Sequence, residues 1–206
     1  MSMSSPETSS PTEPGQKKVG VWDIVVRIFH WGLVVSFFTS WFVGETNYDV
    51  HLTFGYAALS LICIRLVWGF VARGHARFSD FIVGPFKTLS YIRARLNGKA
   101  PRYLGHNPAG AAMIVALLLT VITICISGVA LDAAENFAGP LAGFRLYPYV
   151  NPISEVHEIS TNLALVLVGL HIAGVVVESL SSRENLVAAM ISGKKHAKSD
   201  QGKAVN

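Results

Sequence analysis

Residues 157–180 read HEISTNLALVLVGLHIAGVVVESL, a run of 24 residues whose ionisable groups are His157, Glu158, His171 and Glu178 alone. About 20 predominantly apolar residues suffice for an α-helix to cross the roughly 30 Å hydrocarbon core of a bilayer. The two histidines are 14 positions apart. At 3.6 residues per turn that spacing brings them within about 40° of one another around a helix axis and about 21 Å apart along it. One helix therefore carries two imidazoles on one face at two depths.

Working outward, three further segments have the same character: 24–43 (IVVRIFHWGLVVSFFTSWFV), 51–71 (HLTFGYAALSLICIRLVWGFV) and 110–131 (GAAMIVALLLTVITICISGVAL). None alternates with period two, so strands of a β-barrel do not fit. Helices of a soluble bundle would show a polar face, and the third segment has almost none. The 206-residue chain is 51% hydrophobic and 15% charged, against about a quarter charged in soluble domains. The net charge of +4 could suggest nucleic acid if the basic residues lay on one face, but they alternate with the apolar blocks. Cys63 and Cys125 lie inside apolar blocks, which speaks against a disulfide framework and against Cys-based zinc or iron–sulfur sites. The absence of C-x-x-C-H excludes covalently attached haem.

Lys and Arg orient the chain. Lys17, Lys18 and Arg27 flank the start of the first span. Arg73, Arg77, Lys87, Arg93, Arg95, Lys99 and Arg102 fill the 72–109 connection, and Arg183, Lys194, Lys195, Lys198 and Lys203 fill the C-terminal segment. The 44–50 connection has none and 132–156 has only Arg145. Both termini and the middle loop are expected in the cytoplasm, with the other two loops outside. Residues 1–19 are rich in Ser, Thr, Pro and Glu and are read as disordered. Residues 85–97 (PFKTLSYIRARLN) suggest an amphipathic helix on the cytoplasmic membrane surface, with partner docking as the alternative. The loop 132–156 is expected to pack over the outer end.

Polar groups within membrane spans are costly and need partners. Those present include Arg27, His30, His51, Arg65, His157, Asn162 and His171. With the orientation above, His51 and His157 share an outer depth, while His30 and His171 share an inner one. Two stacked histidine pairs in a dry helix bundle suit two bis-histidine haems, each imidazole giving one axial nitrogen. Zinc would need three or four ligands in one sphere, which this spacing does not allow; a proton relay is the remaining alternative. Arg65 lies 14 residues after His51 and is expected near the inner pair as a counter-charge for haem propionates. Arg27 either serves in the same way or snorkels to the interface. Gly55, Gly169 and Gly174 allow close approach of a porphyrin or of a neighbouring helix. Glu158 is expected to cap the fourth helix or to meet outer water. His75 and His196 are read as solvated; His106 is read the same way, with the lining of a quinone pocket as its alternative.

The motifs R-x-x-H-W (Arg27 to Trp31), GHNPAG (105–110), the 157–174 stretch with its two histidines, and ENLVAAMISGKK (184–195) together resemble the bacterial cytochrome b561 family, which includes b-type cytochrome subunits of nickel–iron hydrogenases. The resemblance implies an all-α fold: an integral membrane four-helix bundle holding two non-covalent b-type haems. His30, His51, His157 and His171 are the axial ligands it implies. Residues 1–19 are then a cytoplasmic tail, 20–192 the transmembrane cytochrome domain and 193–206 a basic cytoplasmic tail. The implied function is electron transfer in the bacterial inner membrane between quinone and a periplasmic redox partner, namely a cytochrome c, a hydrogenase or another dehydrogenase. The outer loops carry Glu45, Asp49, Asp132, Glu135 and Glu155 against Arg145 alone, which suits a basic protein partner. Superoxide oxidation coupled to quinone reduction is the enzymatic alternative, and a haem-free anchor or proton-relay transporter the other. Membrane lipid is an expected partner, nucleic acid is not, and a homodimer stays open.

Overall fold

A computed structural model describes residues 18–20, 23–72, 77–81, 83–99 and 107–196. Four of its helices are long and apolar enough to cross a membrane. α1 (Ile24–Val43) starts where the Asp23 carboxylate accepts from the Val26 amide at 2.8 Å. A four-residue turn leads to α2 (Tyr48–Val71), which Asn47 caps through the Val50 amide at 3.1 Å. α5 (Pro108–Glu135) is capped by Asn107 through Gly110, with Pro108 in the first turn, where its missing N–H costs nothing. A 3-10 turn at Tyr147–Tyr149 feeds α6 (Val150–Ser182), which ends at Arg183 in the left-handed conformation, φ 54°. Between the second and third spans lie α3 (Phe78–Phe81) and α4 (Pro85–Leu96). α7 (Leu186–Ser192) follows α6, capped by Asn185 and stopped by Gly193 at φ 78°.

The first span coincides with its sequence expectation, and the other three run longer. α6 begins at Val150 rather than His157. Pro152 looks like a loop residue, but it falls in the first turn of the helix, where no intrahelical N–H bond is lost. Two expectations change as a result. Glu158 lies two turns inside α6 and caps nothing. Asp132 belongs to α5 instead of a solvent-facing loop, and it is only 5% exposed.

The short 44–47 turn and the longer 136–149 loop make two antiparallel hairpins, α1–α2 and α5–α6, which meet where α2 packs on α5. Ala58 and Ile62 of α2 face Val121 and Cys125 of α5, with Phe29 and Leu33 of α1 closing the cluster. The buried positions are mostly small, including Ala58, Ala111, Ala133, Ala134 and Ala164. Large apolar side chains such as Phe42, Val67, Leu119 and Leu180 point outward. Small residues inside and large ones outside is the distribution of a bundle solvated by lipid. α4 falls within the 85–97 stretch expected to be helical. It leaves Phe86 and Leu89 exposed, buries Tyr91, and packs on α5. Lys18–Gly20 (β1) and Lys194–His196 (β2) pair antiparallel. Lys18 and Val19 thus leave the segment read as disordered, while residues 1–17, 73–76, 101–106 and 197–206, and with them His75 and His106, lie outside the described residues. The strand pair places Lys18–Gly20 and Lys194–His196 at one end of the bundle, the terminal end; the α1–α2 and α5–α6 connections lie at the opposite, loop end.

Candidate functional site: two stacked histidine pairs

The four span histidines meet in the pairs that their depths imply. His51 of α2 and His157 of α6 lie at the loop end, ring centroids 6.2 Å apart and planes at 68°. His30 of α1 and His171 of α6 lie toward the terminal end, 6.5 Å apart and at 54°. Each pair bridges the two hairpins. Among the described residues no three of His, Cys, Asp and Glu converge, so each pair offers two donors and no polydentate cage.

The loop-end pair is held from behind. His51 Nδ1 is 2.9 Å from the Ser40 carbonyl and 3.0 Å from the Ser40 hydroxyl. A carbonyl can only accept, so Nδ1 carries the proton and Nε2 the lone pair. The hydroxyl proton is committed to the His51 backbone carbonyl at 3.1 Å, so Ser40 Oγ accepts as well. The Ser40 carbonyl is available because α1 ends here: the Gly44 amide bonds Trp41 and leaves the fourth-from-last carbonyl of the helix to find another donor. His157 repeats the arrangement on α5. Its Nδ1 lies 3.1 Å from both the Ile124 carbonyl and Ser127 Oγ. The Ser127 hydroxyl donates to its own helix at the Thr123 carbonyl, 2.7 Å away. In both places a glycine stands four residues after the accepting carbonyl. A Cβ built on Gly44 would lie 3.3 Å from His51 Nδ1, and one on Gly128 would lie 3.1 Å from His157 Cε1.

The terminal-end pair lacks such backing. Among the described residues neither His30 nor His171 has a hydrogen-bond partner, and His30 Nδ1 is a buried atom. The His30 ring instead meets Trp31 edge-on at 5.2 Å. Two cations attend this end. Arg65 is 5% exposed and stacks over the Phe78 ring at 4.6 Å. Arg27 donates to the Ile191 carbonyl of α7, a role that neither of its expected readings contained. Asp23, beside them, accepts from Trp68 Nε1 at 2.9 Å while it caps α1. Gly55, Gly169 and Gly174 are not helix contacts, since a Cβ on any of them would meet no atom within 4 Å.

Sequence reasoning missed Ser40, Ile124, Ser127 and the Asp132 network. Tyr48 donates to Asp132 Oδ1 at 2.5 Å, and Asn136 donates to the Tyr48 hydroxyl at 2.8 Å. Gly139, at φ +74°, sits so close that a Cβ would lie 2.8 Å from the Tyr56 hydroxyl and 2.9 Å from Asp132 Oδ2. The loop after α5 thus folds back over the loop end, as expected of it. The signal for the serines was present as S-x-x-x-G at 40–44 and S-G at 127–128, but serine in a span usually bonds its own helix and draws no notice.

Fold and paired imidazoles together define a class, the α-helical membrane cytochromes of electron transport. Over residues 21–193 the chain matches the family model for prokaryotic cytochrome b561, and it belongs to that family, whose hallmark is b-type haem. It is 26% identical to a probable Ni/Fe-hydrogenase B-type cytochrome subunit of Bradyrhizobium diazoefficiens, covering 92% of this chain and 90% of that one. It is 25% identical to the protein of the same description from Azotobacter vinelandii, covering 95% and 98%. No solved structure matches the chain.

Proposed function

We propose that this chain carries electrons across the bacterial inner membrane on two non-covalent b haems, one between His51 and His157 and one between His30 and His171. The spacing of the paired rings carries the proposal. An iron held at about 2 Å by each of two imidazole nitrogens, with about 1 Å more from each nitrogen to its ring centre, sets the centroids roughly 6 Å apart. The observed 6.2 and 6.5 Å fit both pairs. Gly55 and Gly174, each one turn from a histidine on its own helix, leave clearance beside the ligands for a flat macrocycle. Arg65 and Arg27 supply cations at the terminal end, where propionates need them. Haem held by these four histidines would supply one-electron transfer.

The lysine and arginine asymmetry supports a terminal end in the cytoplasm and a loop end in the periplasm. Glu45, Asp49, Glu135 and Glu155 are exposed at the loop end, with Arg145 their single basic neighbour among residues 132–156. That face suits a positively charged redox protein and repels an anionic substrate such as superoxide. By similarity to the hydrogenase subunits, the partner is a hydrogenase or a related dehydrogenase. Quinone is the electron carrier proposed within the membrane. Purified protein should give a Soret band, α-bands on dithionite reduction and two haems per chain by pyridine haemochrome assay. A folded chain that carries no haem, with His51→Ala and His171→Ala indistinguishable from the parent, would leave proton relay as the better account.

A further inference from the structure

The two histidine pairs differ in what stands behind them, and the difference has a direction. At the loop end each Nδ1–H gives its proton to two acceptors on the neighbouring helix, a carbonyl and a serine oxygen. Such hydrogen bonds fix the tautomer and push electron density onto Nε2, which makes the imidazole a more basic ligand. A more basic ligand favours the ferric ion, which carries the larger charge. Fixed charges act in the same sense. The Asp132 carboxylate is buried at the loop end and joined to Tyr48, one turn before His51, while the guanidinium groups of Arg27 and Arg65 stand at the terminal end with Asp23 as their nearby carboxylate. Negative charge stabilises the oxidised centre and positive charge the reduced one.

We propose that Ser40 and Ser127 are positioning residues that clasp the loop-end histidines and give the centre there the lower reduction potential of the two. Electrons delivered by a redox protein at the loop end then run downhill to the terminal end, one at a time, with no bond made or broken. The inference rests on the bis-histidine reading above. It also explains why two serines spend hydroxyl groups on a histidine and a helix carbonyl at once. The clasp orients both ligand nitrogens before any cofactor arrives, whereas the terminal-end rings are aligned by packing alone.

The test is a mediated spectroelectrochemical titration of the holo-protein beside Ser40→Ala, Ser127→Ala, the double variant and the two Ser→Thr variants. Two reduction waves are expected. Each alanine variant should raise the lower wave, the double variant should raise it further, and threonine, which keeps the hydroxyl, should restore it; the upper wave should stay in place. Outer-shell partners of metal ligands are worth about tenfold or more in affinity. A tenfold change in ferric over ferrous preference moves a one-electron couple by 59 mV, which sets the scale for the double variant. His157→Ala identifies the waves by deleting the lower one. Where an alanine variant loses the haem outright, Ser→Cys, a poorer acceptor of similar size, reads the same shift. An unmoved lower wave, a shift confined to the upper wave, or loss of the upper wave in His157→Ala overturns the inference while leaving the haems in place. A folded chain without a Soret band overturns the bis-histidine reading and the inference with it.

Discussion

The loop-end and terminal-end histidine pairs are built from the same materials to different standards. Both pairs take one imidazole from the α1–α2 hairpin and one from α6, and both hold their rings a little over 6 Å apart. At the loop end, the carbonyl of Ser40 near the end of α1, the carbonyl of Ile124 within α5 and two serine hydroxyls settle each ring's tautomer. At the terminal end no hydrogen bond settles either ring among the described residues, and the two cations there touch other groups than the rings: Arg65 the Phe78 ring and Arg27 the Ile191 carbonyl. A binding site made of apolar packing can be permissive, while one made of hydrogen bonds is specified atom by atom. The bundle uses one solution at each end.

The largest effect that would break this comparison is loss of a whole haem. If each pair holds one haem as proposed, and independently of the other, His51→Ala and His157→Ala should each halve the haem content, and so should His30→Ala and His171→Ala. The remaining α-band should differ according to which pair was cut. Loss of both haems from any single variant would mean that the pairs fold as one unit, and the contrast between them would lose its meaning.

The next effect is steric and should fall on one end only. Gly128→Ala places a Cβ 3.1 Å from His157 Cε1, tighter than ordinary packing, so the clasped imidazole must shift. Haem affinity at the loop end is expected to fall about tenfold, the scale set by disturbed ligand orientation. Gly174→Leu is the counterpart one turn from His171. Since a Cβ at Gly174 meets no protein atom, the unloaded fold should be unchanged, and only haem uptake at the terminal end should suffer. Titration of haem into the unloaded protein, followed at the Soret band, separates the two.

These contrasts also mark what sequence could and could not reveal. The four spans, the pairing of His30 with His171 and of His51 with His157, and the α4 surface helix all follow from periodicities that a single chain carries in itself. Helix rise fixes depth, and depth fixes partners. The clasp does not follow, because it depends on which carbonyl of α1 is left free when the helix ends at Gly44, and on Ser127 facing α6 across a helix pair. The role of Asp132 was misread for a related reason. Its charge suggested a loop, yet α5 continues to Glu135 because Tyr48 and Asn136 satisfy the carboxylate and let the helix bury it. Arg27 stood between two readings and took a third, because α7, which supplies its acceptor, carries too few residues to announce itself by periodicity.

Stability should respond less than haem binding, and again at the loop end first. Asp132→Ala removes the acceptor for Tyr48 and Asn136, both exposed residues whose donors can turn to water. The expected loss is about 0.5–1.5 kcal/mol, read as a lower melting midpoint in detergent. Asp132→Asn keeps an oxygen for Tyr48 and should recover most of it. If the negative charge of Asp132 also holds down the potential of the neighbouring centre, Asp132→Asn should raise the lower wave with little change in melting. That outcome would separate the electrostatic share of the asymmetry from the share owed to the serine clasp.

The smallest expected effect belongs to the terminal end. Arg95 of α4 pairs with Glu178 of α6 at 3.1 Å, seven residues beyond His171, with both side chains about a third exposed. A pair open to solvent contributes between nothing and about 1 kcal/mol, because the Coulomb gain is offset by ordering two long side chains and is screened by salt. Glu178→Gln should therefore lower the melting midpoint slightly, and less so in high salt. Its consequence for the comparison is sharper than its size. If the terminal-end pair is held by packing alone, loosening α4 from α6 should leave the upper reduction wave where it was. An upper wave that moves with Glu178→Gln while the lower one stays would mean that the surface helix, through α6, tunes the terminal-end centre as the serines tune the other.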